Sequence, residues 1–65
     1  MCIATVYIDT VSGKEEVMGD VVLVECENDG LRLTALLGEQ KLLQAKVKSI
    51  DFLEHSVVVE RGEAR

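Results

Sequence analysis

The sequence contains no proline and no tryptophan, and it has only one tyrosine, one phenylalanine and one histidine among its 65 residues. Any core must therefore be built from Val, Leu and Ile, and the regular short spacing of Val and Ile, with no proline to interrupt it, predicts an all-β domain. No nucleophile stands beside a base in a recognisable motif, and no glycine-rich phosphate loop is present. We therefore expect that the protein is not an enzyme.

Positive charge is scarce. Seven Lys and Arg residues stand against twelve Asp and Glu residues, which gives a formal net charge of −5. A negatively charged protein is repelled by phosphate backbones, so we expect no nucleic-acid partner. The only basic cluster is Lys41, Lys46 and Lys48, which we interpret as a charged sheet edge that discourages strand pairing. A small β-barrel that binds nucleic acid remains an alternative.

Long apolar runs are also missing. No stretch reaches the roughly 20 apolar residues of a membrane span, and no secretory leader is recognisable, so we expect a cytoplasmic protein without a membrane partner. In that compartment the two cysteines, Cys2 and Cys26, stay reduced. A chain of this size is one domain, residues 1–65, and buries only about 60% of its unfolded surface. A homodimer is the expected way to gain more buried area.

The pattern predicts six or seven short strands that close into a small SH3-like barrel. The predicted strands cover residues 3–9, 14–18, 21–27, 31–37, 40–44, 46–54 and 57–61. A bulge near Ser49 would reconcile the irregular apolar spacing of the sixth segment. The alternative is a helix over residues 36–47, which Gly38 disfavours by about 1 kcal/mol.

Strand alternation predicts which side chains face the core. In the first strand Cys2, Ala4, Val6 and Ile8 share one face, and Ile3, Thr5 and Tyr7 share the other. In the third predicted strand Val22, Val24 and Cys26 fall on one side, with Cys26 expected to be buried. Leu31, Leu33, Ala35 and Leu37 form the inward face of the next strand.

Cys2 is the residue whose position is chemically unusual. Its thiolate lies next to backbone nitrogens: its own, which is a free amine if Met1 is removed, the Met1 amine if that residue is retained, and the amide of Ile3. Thiolate and nitrogen donors suit nickel, copper and zinc rather than magnesium or calcium. A tight chelate of this kind favours a square-planar ion, which indicates Ni(II), with Cu(II) as the competitor. The competing interpretation is that Cys2 is simply a small buried hydrophobe.

Three segments resemble one known family. They are Met1–Tyr7, Leu36–Glu39 followed by Lys41, and Ile50–Phe52 followed by His55 and a run of valines. Together they resemble the CooT family, whose members are small nickel chaperones of carbon monoxide dehydrogenase. The resemblance implies an SH3-like barrel, a homodimer, Ni(II) bound by Cys2, and carbon monoxide dehydrogenase or another nickel enzyme as the client.

The stoichiometry of such a site stays open at the level of sequence. Two copies of Cys2 could share one metal across a two-fold axis, or each chain could hold its own metal with His55 as a further ligand. His55 is otherwise a solvated residue of a turn. A third possibility is a purely structural dimer module that docks on a larger enzyme through a strand edge.

Overall fold

The computed structural model describes residues 3–62, and over that range it contains six β-strands and no helix. The strands are β1 (Ala4–Thr10), β2 (Gly13–Glu27), β3 (Gly30–Ala35), β4 (Gln40–Leu43), β5 (Ala45–Asp51) and β6 (Ser56–Arg61). The helix considered for residues 36–47 is therefore wrong, since a turn and two strands occupy that stretch. Nothing between residues 3 and 62 forms a helix long and apolar enough to cross a bilayer.

All six strands belong to one sheet in the order β4-β3-β2-β1-β6-β5. Neighbouring strands are antiparallel except β1 and β6, which run parallel. The two edge strands, β4 and β5, are separated in the chain by Gln44 alone, so the sheet must curl to bring its edges together. The result is a curled half-barrel, which confirms the predicted small all-β barrel.

The core lies inside this curl. Its buried side chains are Val6, Val21, Leu31, Leu33, Ala45, Val57 and Val59. Ala4 and Ile8 pack against this cluster, so three residues predicted to share one face of β1, Ala4, Val6 and Ile8, lie on its core side. Leu31, Leu33 and Ala35 are buried on β3, again as alternation predicts.

The predicted break at Gly19 and Asp20 is wrong, because β2 runs without interruption for 15 residues. The pairing of β2 with β1 shifts register in this region, and Asp20 has a positive φ of 54°. Hydrogen-bonded pairing continues on both sides, so the pair forms a bulge that bends the strand instead of a turn. The bulge also shifts the alternation: Val21 is buried, whereas Val22, predicted to face inward, is exposed.

Two other predictions of burial are wrong. Cys26 pairs with the buried Leu31, but this is the last pair but one between β2 and β3, and the Cys26 side chain is exposed. Leu37 is 89% exposed, because β3 ends at Ala35 and the next residues form the β3–β4 turn. Cys26 therefore lies near the end of β2 and Leu37 beyond the end of β3, and at both positions the side chain is outside the buried core.

The predicted bulge in β5 is confirmed. The pairing with β6 shifts between Val47 and Ser49, which leaves Lys48 as the extra residue. The turn between β5 and β6 covers residues 52–55, and β6 begins at the next residue, Ser56. Gly62 is the last described residue, and its amide donates to the Gln44 carbonyl at 2.9 Å.

Candidate functional site

Of the candidate metal ligands predicted from the sequence, Ile3 and His55 are among the described residues, and both lie near the amino end of β1. Met1 and Cys2, the other predicted ligands, lie outside the described residues. Ile3, whose amide nitrogen was the tentative third donor, is the first described residue and is half-buried. The surroundings of Ile3 and Ala4 are therefore the part of this predicted site that the structure describes.

The backbone at this point is held on both sides. Ala4 pairs with Val21 of β2, and Thr5 pairs with Ser56 of β6. The amide of Thr5 also donates to the carbonyl of His55 at 3.0 Å. The chain is thus fixed by two neighbouring strands within three residues of Cys2.

His55, the second candidate ligand, lies next to this anchor. It occupies the turn before β6 with a positive φ of 55°, and its side chain is exposed. The turn is closed by the Asp51 carboxylate, whose Oδ1 accepts a hydrogen bond from the Glu54 amide at 3.0 Å. The structure therefore brings the backbone of His55 to the start of β1, with the imidazole facing solvent.

Cys26 lies far from this end of the barrel. It shares a depression with Gly62, which follows the carboxyl end of β6, whereas His55 precedes the amino end of the same strand. Six residues at about 3.3 Å each separate these ends by about 20 Å. Between residues 3 and 62, no group of three or more His, Cys, Asp or Glu side chains is arranged to hold a metal ion.

Two exposed apolar clusters flank the start of β1, and the sequence analysis missed both as functional features. One is the β5–β6 knob, which we define as Ile50, Phe52 and Leu53; these side chains are 51%, 80% and 86% exposed. The other is the leucine turn, defined as Leu36 and Leu37 between β3 and β4. The detectable signal was two adjacent bulky apolar residues at each turn, where polar residues are usual.

The leucine turn is tied to the same end of the barrel. The Leu36 amide donates to the carbonyl of Asp20 at 2.8 Å, and Asp20 precedes Val21, the partner of Ala4. Three strand spacings of about 4.8 Å separate β3 from β6 along the sheet, or about 14 Å. We call this end of the molecule, with both clusters and the start of β1 between them, the amino-end rim.

The charged side chains at the turns of the amino-end rim are mostly acidic, and Lys14 is a basic residue that lines one depression together with Asp51 and Glu54. Asp20, Glu39, Asp51 and Glu54 lie in or beside its bends and turns, and within residues 3–62 none of these carboxylates makes an ion pair. The basic side chains that do form ion pairs lie elsewhere: Arg32 with Glu25 and Glu27, Lys46 with Glu60, and Lys48 with Asp9. Lys41 instead donates to the carbonyl of Val17 at 3.2 Å.

A family model described as "CO dehydrogenase accessory protein CooT" matches residues 1–60. The chain belongs to the CooT family. This confirms the resemblance noted in the sequence, and it gives the protein an accessory role for CO dehydrogenase.

Two relatives extend this result. A crystal structure of a protein assigned as CooT from Carboxydothermus hydrogenoformans superposes with a TM-score of 0.88 and 26% identity, covering 95% of this chain and all of that one. An uncharacterized protein of Methanothermobacter thermautotrophicus is 33% identical over 60 residues, which are 92% of this chain and 89% of the relative. The CooT fold thus accounts for nearly the whole chain.

The segments that carried the resemblance to CooT meet at the amino-end rim. Residues 36–39 include the leucine turn, and residues 50–55 include the β5–β6 knob. The anchored start of β1 lies between them. Described parts of all three segments therefore lie at one end of the folded CooT chain, whereas the valine run of the third segment, residues 57–59, is buried.

Proposed function

We propose that this CooT protein is a cytoplasmic, non-enzymatic nickel chaperone that carries Ni(II) on the Cys2 thiolate and adjacent backbone nitrogens for delivery to CO dehydrogenase. The accessory role of the family and the match over residues 1–60, which includes Cys2, support this proposal. The observation that carries it is the pairing of β1 with both β2 and β6 within three residues of position 2. A terminal chelate attached to a fixed strand binds a metal at a lower entropic cost than one on a free chain end.

The donor set fits the proposed cargo. A thiolate with an amine from position 1 or 2, and with the amide nitrogen of Ile3, offers the sulfur and nitrogen ligands that nickel and copper accept. Metal binding displaces protons from such donors, so affinity rises with pH. Ni(II) is the cargo proposed here, and Cu(II) is its chemical competitor.

We further propose that two chains form a homodimer in which the two Cys2 residues share one nickel ion. The exposed Leu36 and Leu37 beside the start of β1 support a contact between copies at this flank. The alternative is one ion per chain, with the neighbouring His55 imidazole as an additional ligand. The two arrangements differ in nickel stoichiometry and in their dependence on His55.

Titration of reduced, metal-free protein with Ni(II) tests the ligand assignment. We expect a thiolate-to-nickel charge-transfer band that is lost in Cys2→Ser, because serine provides no thiolate. Cys26→Ser is the matched control, since Cys26 is an exposed free thiol at the other end of the barrel and its loss should leave the band unchanged. Equal titration curves for native protein and Cys2→Ser would refute the assignment.

Native mass spectrometry of the same samples separates the two stoichiometries. One nickel ion per two chains, unchanged in His55→Asn, is expected for the shared site. Asparagine is suitable here because it tolerates the positive φ of position 55. Two ions per dimer, with the count or affinity reduced in His55→Asn, would favour a separate site in each chain.

The nucleic-acid alternative finds less support. The ion pairs of Arg32, Lys46 and Lys48 with carboxylates reduce the positive charge that these side chains could offer to a phosphate backbone. The expectation that no nucleic acid is bound remains a prediction. Salt-dependent RNA binding is the measurement that would revive this alternative.

A further inference from the structure

The β5–β6 knob carries a feature that nickel binding does not require. Phe52 and Leu53 are adjacent, are 80% and 86% exposed, and do not belong to the apolar core. Ile50 adds a third apolar side chain that is half exposed. Exposed apolar side chains grouped on one projecting turn are typical of a contact surface.

The turn that presents the knob is held in shape. The Asp51 carboxylate accepts from the Glu54 amide, and the His55 carbonyl accepts from the Thr5 amide, so the turn is closed at one side and fastened to β1 at the other. A contact surface that is already ordered loses little conformational entropy on binding. The knob is therefore preorganised to insert into a concave partner.

A second copy of this chain fits the knob poorly. Two knobs brought together by two-fold symmetry are both convex, and each adds the carboxylates of Asp51 and Glu54 to the same contact. The depressions at the opposite end of the barrel carry charges of both signs, with Lys46 beside Glu27 and Asp29, and a second copy could insert its knob there only in a head-to-tail contact. Such a head-to-tail contact would not close into a dimer.

We infer that the β5–β6 knob is the docking site for CO dehydrogenase and that it inserts Phe52 and Leu53 into an apolar pocket rimmed by Lys or Arg side chains on that enzyme. The inference rests on the accessory role in the proposed function but does not depend on nickel. Aromatic and apolar anchors supply the affinity of such contacts, and the carboxylates of Asp51 and Glu54 supply orientation and rate of encounter. The knob borders the start of β1, so docking brings the proposed cargo end against the recipient.

Binding of the metal-free protein to purified, immobilised, metal-free CO dehydrogenase from the same organism tests this docking site. We expect the double variant Phe52→Ala/Leu53→Ser to lose affinity by about tenfold or more. Val11→Ser is the matched control, because Val11 is an equally exposed apolar residue in the β1–β2 turn, and it should bind as the native chain does. Thermal unfolding of both variants should match that of the native protein, since none of these side chains belongs to the core.

Glu54→Gln tests the charged part of the contact. It removes a carboxylate but keeps the backbone amide that closes the turn. We expect weaker binding at low ionic strength and a smaller loss of affinity on addition of salt than in the native protein.

Four results would overturn the docking site: no measurable binding by the native chain, native affinity in the double variant, an equal loss in Val11→Ser, or a change from dimer to monomer in the double variant. The last result would assign the knob to a second copy. Cys2→Ser should bind the metal-free enzyme normally, and a loss of docking there would also contradict the inference. Nickel titration of the double variant should be unchanged, so failure of docking and failure of cargo binding are distinguishable.

Discussion

Lys48 of β5 reaches across β6 to Asp9 of β1, where its Nζ lies 2.5 Å from the Asp9 Oδ2. This contact is possible because Lys48 is the bulge residue of β5 and pairs with no residue of β6. The hydrogen bond from Lys48, together with its charge, lowers the pKa of Asp9 below the ordinary value of 3.8. The same contact raises the pKa of Lys48 above 10.5. This ion pair thus links β5 to β1 across the intervening strand β6.

The Asp9 contact predicts a specific pH dependence of stability. Since folding lowers the pKa of Asp9, its contribution is present above pH 3.8 and is lost as the pH falls through the lower folded pKa. The raised pKa of Lys48 means that the contribution of Lys48 is present below pH 10.5 and is lost at higher pH. Asp9→Asn should therefore lower the melting temperature at neutral pH, with a smaller effect in strong acid.

The Asp9 prediction is checked by thermal unfolding over a pH series. Because both side chains are at the surface, added salt should reduce the difference between Asp9→Asn and the native protein. A difference in melting temperature that is the same at every pH would show that the ion pair is not its cause.

At the scale of an element, the close approach of β3 to the end of β4 depends on Gly30. A Cβ atom at this position would lie 2.0 Å from the carbonyl oxygen of Leu43, which is backbone and has no side-chain freedom to move away. Gly30→Ala should therefore destabilise the fold by about 1–3 kcal/mol, as overpacking of a close contact does. Chemical denaturation measures the change.

Gly19→Ala is the matched control for Gly30→Ala. A Cβ at Gly19 would meet only the end of the flexible Glu16 side chain, at 3.6 Å. Alanine is favoured over glycine within a strand, so Gly19→Ala should be neutral or slightly stabilising. Equal destabilisation by the two substitutions would show that loss of glycine as such, and not the contact with Leu43, is responsible.

The elements themselves could be predicted wherever alternation was regular and turn residues were explicit. The shared face of Ala4, Val6 and Ile8 and the inward face of β3 follow from alternation, and the bulge near Ser49 was predicted from a single irregularity in apolar spacing. The same reasoning failed at Gly19 and Asp20, where turn-forming residues serve as a bulge inside a continuous strand. Local sequence cannot distinguish these two uses, because the pairing with β1 and β3 decides between them.

At the scale of the whole molecule, the candidate site was predictable only in part. The chemistry of Cys2 could be argued from its position, and the family match includes that position. The parallel pairing of β1 with β6, which brings His55 to the start of β1, has no signature in local sequence because it joins segments about 50 residues apart. Each apolar cluster had a local signal in its pair of bulky residues, but their common position beside β1 had none, since turns far apart in sequence become neighbours only in the folded barrel.

The proposed homodimer gives a prediction at this largest scale. Leu37→Asp should weaken dimerisation by about tenfold or more, because two-fold symmetry would place two new carboxylates in one apolar contact. Leu37 is 89% exposed and takes no part in the core, so the monomer should remain folded. Sedimentation equilibrium measures the dissociation constant, with Val11→Asp as the control of equal charge and similar exposure at another turn.

Nickel titration makes the Leu37→Asp experiment more discriminating. If two Cys2 residues share one ion, separation of the chains must also weaken nickel binding, because dimerisation and metal binding are then linked equilibria. If each chain holds its own ion, Leu37→Asp should leave nickel affinity unchanged while His55→Asn lowers it. A Leu37→Asp variant that dimerises like Val11→Asp would remove the leucine turn from the dimer contact, and the shared nickel site would then require another surface to bring the two chain ends together.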